Sequence, residues 1–314
     1  MRVAVVGAGV MGAASAWALT RGGHDVVVYE QFEPGHGRGS SHGASRIFRL
    51  AYTDPKWVSL AREALAAWPQ VGDGLLELEG LVECVPSLDD SSRAALDACG
   101  VAWRTVEPDR CGVAVPDGWT ALLQPEAGII RSDRAHEALL RGIRVERARV
   151  ERLDELDADV VVVAAGPWAP KLLREHGIAL DAVPTRETIV CFRHELGVGA
   201  VVDRDAEQHL VYALRDPVHG LKAGVHMSGV QADPDEPGGP DERIVERTAA
   251  WIAERFPGAD AEPVAVDTCW YTTTPDESFV LERHGRVVVC SACSGHGFKF
   301  APVVGRRVAE LVGG

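Results

Sequence analysis

The stretch Val3-Ala4-Val5-Val6-Gly7-Ala8-Gly9-Val10-Met11-Gly12, continued by Asp25-Val26-Val27-Val28-Tyr29-Glu30, decides the fold. Val3 to Val6 is a short β-branched run suited to a strand buried on both faces of a parallel sheet. Ala13 to Arg21 is helix-compatible, Gly22-Gly23 ends it, and the second apolar run closes on an acid. The unit is strand–helix–strand, with G-x-G-x-x-G at the first turn and Glu30 standing 18 residues after Gly12. Glycines permit close backbone approach to a pyrophosphate, and the helix N-terminus adds amides and partial positive charge. Glu30 can accept hydrogen bonds from a ribose diol. Dinucleotide binding is the reading; a tight turn in an α/β protein without a nucleotide is its bland alternative.

Gly35 to Arg49 is Gly- and Ser-rich with no hydrophobic period, so it reads as a loop approaching something closely. An NAD-type enzyme would continue there with another βα unit, which shifts weight towards a flavin. Further along, residues 56–70 predict an amphipathic helix carrying Trp57, Leu60, Ala61, Leu65 and Trp68, and strand-like, turn-rich sequence runs to about 124. Ser132 to Arg141 predicts a helix with Ser132 as its cap, and Arg144 to Val150 a short strand. Asp159 to Gly166 reads as a buried strand into a turn, then Pro167-Trp168-Ala169-Pro170 and a short helix. Short β-like runs fill 185–269 with a helix at 241–255, Arg286 to Cys290 is another strand, and Val303 to Leu311 is a final helix. The chain therefore predicts a nucleotide domain in three segments (1–72, 125–184, 270–314) interleaved with a β-rich substrate domain (73–124, 185–269). The class is α/β plus α+β, with a Rossmann-like first domain.

At 314 residues the chain favours two lobes over one core. Lys and Arg number 32 against 46 Asp and Glu, a net charge of −14. That balance disfavours phosphate-neutralising nucleic-acid binding and anionic membranes. Seven cysteines are an odd number in a chain too large for a disulfide scaffold. With neither an export signal nor a membrane-length apolar run in the sequence, a soluble, cytoplasmic, monomeric protein is expected.

Four stretches in order carry a resemblance: Val5 to Gly12, Ser41-His42-Gly43-Ala44-Ser45-Arg46-Ile47-Phe48-Arg49, Cys269-Trp270-Tyr271-Thr272, and Ser294-Gly295-His296-Gly297-Phe298-Lys299-Phe300. Gly220-Leu221-Lys222-Ala223-Gly224-Val225-His226 makes a fifth. Together they resemble the monomeric sarcosine oxidase and N-methyltryptophan oxidase family, FAD-dependent amine oxidases of the D-amino-acid-oxidase-like group. The resemblance implies that Cys269 carries FAD through an 8α thioether; a buried small hydrophobe is the bland reading. It implies Lys222 at the oxygen side of the flavin, where a fixed positive charge stabilises superoxide. Arg49 and Lys299 would take the substrate carboxylate, Arg49 as a fork and Lys299 as a point charge. His226 and Tyr271 would shape the substrate site, and Tyr212 is a weaker candidate because the loop after it is one residue short. Trp270 would make the pocket more aromatic.

The implied cofactor set is Gly7, Gly9, Val10, Met11, Gly12, Glu30, Gln31, Ser40, His42, Gly43, Ser45, Arg46, Val150, Gly166, Trp168, Cys269, Gly295, His296, Gly297, Phe298 and Lys299. His42 and Ser45 would line the ring side, Arg46 the polar edge or oxygen side, and Gly166 and Trp168 a second turn beside the phosphates or the ring. His296 reads as a flavin-loop residue and not a base. The C-x-x-C of Cys290 and Cys293 reads as packing, with no metal site. The chain is short for the family, and the shortfall is expected in the tail beyond the last helix. The function expected is oxidation of a carboxylate-bearing secondary amine or amino acid to an imine, with oxygen reduced to hydrogen peroxide. Alternatives are a flavin dehydrogenase, a biosynthetic imine-forming oxidase of a cyclic amino acid, and a non-catalytic FAD-binding protein.

Overall fold

The computed structural model describes residues 1–33, 35–86, 90–107 and 112–314. Cys111, the seventh cysteine, lies outside them; the six described cysteines are free thiols. Among the described residues the strands form three sheets.

The first sheet holds β1 (Arg2–Val6), β2 (Asp25–Glu30), β9 (Arg144–Arg147), β10 (Val160–Val163), β17 (Val280–His284) and β18 (Val287–Ser291). Its order is β17-β18-β10-β1-β2-β9, parallel throughout except for β17 against β18. This is the Rossmann-like order: β2 and β9 are added on one side of β1 and β10 and β18 on the other, so the order switches between β1 and β10, where such folds open their ligand crevice. The four inner strands β1, β2, β10 and β18 are Val-rich because helices cover both faces, while the edge strands β9 and β17 carry charged residues. On one side lie α1 (Val10–Arg21), α2 (Pro55–Ala67), α4 (Ser132–Leu140) and α7 (Ala301–Gly313); on the other lies α5 (Ala169–Glu175). Gly12 is required by packing: a Cβ there would stand 1.9 Å from the Gly7 carbonyl oxygen.

The second sheet holds β5 (Leu81–Val85), β6 (Arg104–Val106), β7 (Thr120–Gln124), β11 (Val183–Phe192), β12 (Ala200–Arg204), β13 (Leu210–Asp216), β14 (Gly220–Val225), β15 (Val230–Gln231) and β16 (Ala265–Thr273). Helix α6 (Glu242–Arg255) covers one face, burying Trp251 and Ile252. The third sheet, β3 (Ser45–Phe48), β8 (Gly128–Arg131) and β4 (Leu76–Glu77), stands between the two. Both the Rossmann-like layer and the β-rich second layer are as expected.

Three local readings need correction. Helix α3 (Asp90–Ala98) occupies part of the stretch read as strand and turn. Its 9 residues are too few for a clear period beside the flanking β runs. Ser132 is the first residue of α4 and not its cap; its hydroxyl donates instead to the Gly43 carbonyl at 2.9 Å, where it pins the glycine-rich loop. The helix read over 56–70 ends at Ala67, and Trp68–Gln70 tightens into a 3₁₀ turn at Pro69.

Candidate active site

One cavity of about 600 Å³ runs from the C-terminal ends of β1 and β10 to the underside of the second sheet. Its floor is the glycine turn. Gly9 starts α1 with extended backbone and no side-chain cap, so the helix N-terminus faces the cavity. Glu30 is buried, its carboxylate accepting from the Ala8 and Phe32 amides at 2.8 and 3.0 Å. Two oxygens with lone pairs to spare remain able to take a diol.

The roof follows from strand alternation. Leu210, Tyr212 and Leu214 of β13, Lys222 of β14 with His226 just past its end, Ile189 of β11, and Cys269 and Tyr271 of β16 all line the cavity. Lys222 stands opposite Leu214 and Cys191 in register, and Tyr212 opposite Gly224. Tyr212, the weaker candidate, reaches the site from β13, four residues before the tight Asp216–Gly220 hairpin. Gly295 holds a second close approach: a Cβ would lie 2.4 Å from the Tyr271 ring and 2.7 Å from His226.

Every sequence-predicted site residue except Gly12, Gly43 and Ser45 lines this cavity. Those three stand just behind the wall. Gly12 packs on Gly7, Gly43 takes a left-handed φ of 87° beside Arg46, and Ser45 is fully buried against Asp216. Gln31 and Val150 line the Glu30 end, as do Gly166 and Trp168, with Trp168 against Phe32 at 5.5 Å. Arg46 organises the loop by donating to the carbonyls of Ser40, His42 and Ser45 at 2.8, 2.6 and 2.8 Å, and its guanidinium lies 5.5 Å from the Phe298 ring. His42 meets Asp267 at 3.0 Å through Nε2, while its buried Nδ1 has no partner. Trp270 contributes to the wall, but Arg186 lies 4.9 Å over its ring.

The electrostatics are dominated by cations. Lys222 is 7% exposed and its ammonium donates to the Ser45 carbonyl; burial, then the Arg46 charge, pull it down to about 7. Lys299 is 4% exposed, donating to the Tyr52 hydroxyl at 2.9 Å and the His296 carbonyl at 2.7 Å. Burial and the Arg49 charge hold it well below the ordinary lysine range. Arg49 lies 4.8 Å over the Tyr52 ring. Among the described residues neither Arg49 nor Lys299 makes an ion pair. Burial and these two cations lower His226 to about 4, so its imidazole is neutral near pH 7, with Nδ1 3.4 Å from the Tyr271 hydroxyl. Burial lowers His296 to about 3; it is wedged among Trp57, Phe279 and Phe300 with Nε2 directed to the Glu277 carbonyl at 3.1 Å. Burial pushes Cys269 up to about 12, against the opposing pull of Arg46.

Sequence reasoning missed the residues that hold this geometry. Tyr52 sits between the two cations, and the Trp68 indole donates to the Lys299 carbonyl at 2.8 Å. Buried Gln124 accepts the Leu50 and Ala51 amides at 3.2 and 2.9 Å, fixing the chain just after Arg49. Asp216 lies behind Lys222. No signal in one sequence separates such buried polar side chains from solvated ones. Among the described residues no group of three or more His, Cys, Asp or Glu could hold a metal, and no helix is long and apolar enough to cross a membrane.

The cradle fits FAD. Gly7 (φ 100°) leaves no room for a Cβ against the Ala164 carbonyl, the α1 N-terminus opens on the cavity with amides that could take a diphosphate, and Glu30 lines it with a carboxylate that could take a ribose diol. Among the described residues the buried His42 Nδ1 in the cavity wall has no hydrogen-bond partner.

The chain matches the family model described as DAO, FAD dependent oxidoreductase, over residues 2–311. It is 30% identical to the peroxisomal sarcosine oxidase of Homo sapiens, across 98% of this chain and 90% of that one. It is 32% identical to the probable sarcosine oxidase of Arabidopsis thaliana, across 98% and 87%. Among solved structures, the open form of NikD, an unusual amino acid oxidase essential for nikkomycin biosynthesis, is similar with a TM-score of 0.84 at 25% identity, over 99% of this chain and 93% of that one. The alignment with the human protein spans 354 residues, more than this chain's 314, so the shortfall falls inside the matched span and not in a tail alone. Matched along almost its whole length, the chain belongs to the DAO family of FAD-dependent oxidoreductases, among the members that oxidise amines and amino acids.

Proposed function

We propose that the protein oxidises a secondary amine or cyclic amino acid bearing a carboxylate, turning C–N into an imine while oxygen becomes hydrogen peroxide. One observation carries this: Arg49 and Lys299 are brought together at Tyr52 with no ion pair among the described residues. Lys299 is buried and Arg49 partly so; cations without a counter-charge there are costly, and a carboxylate arriving between them relieves that cost. FAD, when bound, supplies the acceptor for the hydride equivalent leaving the amine's C–H and passes the electrons to oxygen.

The chain's residues orient and protect. Arg49 and Lys299 fix the carboxylate; neutral His226 offers a nitrogen acceptor and Tyr271 a hydroxyl at the amine end. Ile189, Leu210 and Leu214 exclude water from the reacting C–H. Lys222 presents positive charge on the oxygen side. Cys269 would hold the cofactor by a thioether, after losing a proton that burial makes hard to remove. The remaining FAD contacts come from the glycine turn, Glu30, Gln31, the Ser40–Arg46 loop, Val150, Gly166, Trp168 and Gly295–Lys299.

We read 1–72, 125–184 and 270–314 as the FAD lobe and 73–124 with 185–269 as the substrate lobe. Membership of the first and second sheets supports the division between lobes, while β11 and β16 run through the 184/185 and 269/270 boundaries and β4 pairs with β8 across the division. Free thiols support a reducing, cytoplasmic setting, and we read the protein as a monomer. The test is anaerobic mixing with N-methyl and cyclic amino acids. Flavin bleaching with carboxylated amines but not with their decarboxylated analogues is expected. Bleaching without peroxide on aeration would favour a dehydrogenase, and no bleaching with any amine would leave a non-catalytic FAD protein.

A further inference from the structure

Lys222 poses a problem of charge. Its ammonium is buried, and Arg46 beside it adds like-charge repulsion. The groups that face it are Arg46 of β3, Cys191 of β11, Cys269 of β16 and Asp216 at the end of β13. The two thiols are neutral, pushed up by burial to about 11 and about 12. Asp216 is therefore the one acid among them that carries charge near pH 7.

Its placement is specific. Asp216 is 5% exposed. Ser45 joins it to Lys222: the lysine Nζ donates to the Ser45 carbonyl, and Ser45 Oγ donates to Asp216 Oδ2 at 2.8 Å. Asp216 Oδ1 accepts the Val218 and His219 amides, each at 3.1 Å, and stands 3.3 Å from His219 Nδ1 at the half-exposed end of the hairpin. Burial pushes this carboxyl up, but the Ser45 hydroxyl, Lys222 and the two amides outweigh it and hold it below the usual range.

We propose that Asp216 is a positioning residue for Lys222, its buried carboxylate supplying, through Ser45, the counter-charge that keeps the lysine an ammonium in the cavity wall. The proposal rests on reading Lys222 as the oxygen-side cation. The bland account gives Asp216 only its turn, since its Oδ1 bonds are an Asx turn that Asn makes equally well. Asp216→Asn therefore keeps the turn and removes the charge.

The experiment compares wild type, Asp216→Asn, Asp216→Glu and Lys222→Met as FAD-loaded proteins between about pH 5 and 9. Two quantities are followed: the rate of flavin reoxidation by oxygen, and the flavin midpoint potential, which needs no turnover. Wild type should show an inflection near 7 in both, as the lysine loses its charge. In Asp216→Asn both inflections should move down by about one pH unit, slowing reoxidation at pH 7 by about fivefold while reduction by amine is unchanged. Asp216→Glu should restore most of the shift, and Lys222→Met should abolish the inflection. If Lys222→Met removes the inflection but Asp216→Asn leaves it where wild type has it, Asp216 is a turn residue only and the proposal is overturned. If Lys222→Met slows reduction as much as reoxidation, the oxygen-side reading falls instead, and the potentials still decide the counter-charge. Should Asp216→Asn fail to fold, Asp216→Ser, which also suits the turn, removes the same charge, and an unmoved inflection there counts equally against the proposal.

Discussion

The two ends of the cavity are built on opposite electrostatic plans. At the Glu30 end, Asp235 on the acidic loop before α6 accepts both arms of Arg149 at 3.1 and 3.0 Å, Lys171 at 3.0 Å and the Trp168 indole at 2.9 Å. The Arg149 hydrogen bond is the main cause that holds Asp235 down to about 2. Charges there are met within the chain and half exposed, so they fasten one layer to the other and do little else. At the Tyr52 end, among the described residues, buried Lys299 is met by a hydroxyl, a carbonyl and the Tyr52 and Phe300 rings, and Arg49 by the Tyr52 ring, with no acid paired to either. An uncompensated charge in a low-dielectric site is a binding site waiting for its anion. Pairing inside the chain makes structure, and withholding the pair makes affinity.

That contrast can be broken at several points. The largest expected change is at the boundary between the ends. Cys269→Ala should leave all of the yellow colour in the supernatant after acid precipitation, where wild type keeps it in the pellet; colour in the wild-type supernatant refutes the thioether. Next comes Arg49→Met, expected to lower kcat/KM for a carboxylated amine by about 10²–10³-fold, the cost of truncating a buried charge pair. The preference over a decarboxylated analogue should collapse with it, and a preserved preference would show that the carboxylate binds elsewhere. Tyr52→Phe removes the hydroxyl that accepts from Lys299, so KM should rise about tenfold with kcat little changed, as befits a positioning group. A fall in kcat at constant KM would instead put Tyr52 in the chemistry.

The smallest effect belongs to the paired end. In a Cys269→Ala background, Asp235→Asn should weaken FAD retention by less than about tenfold, because half-exposed pairs are worth little, and high salt should erase the difference. The sign with pH follows from the depressed folded value. The clasp contributes fully above the unfolded carboxyl range near 4 and is lost as pH falls towards about 2. A contribution that instead grew on acidification would rule out the ionised pair.

Legibility divided along similar lines. The glycine turn and Glu30 could be read directly, since backbone room and a strand-end acid are properties of neighbouring residues. Lys222, Tyr212, Cys269 and Tyr271 are legible through the resemblance of their motifs, and in the structure strand alternation brings them to the cavity. Tyr52, Trp68, Gln124 and Asp216 could not, since each acts on a partner far away in the chain: Trp68 on Lys299, Gln124 on Leu50 and Ala51. Ser132 looked like a cap because its type suits one, yet its hydroxyl goes to Gly43. The missing length was expected in the tail, whereas at least part of it lies within the matched span, where the order of the motifs is kept.

By itself the sequence determined the Rossmann-like order, the nucleotide cradle and the roster of cations, because strand hydrophobicity, glycine sterics and residue chemistry are local facts. Which cations would lack a counter-charge only the tertiary structure decided. Pairing depends on what folding brings within a few ångströms, and here it brings Asp235 to Arg149, Asp216 behind Lys222 and, among the described residues, no acid into an ion pair with Arg49 or Lys299.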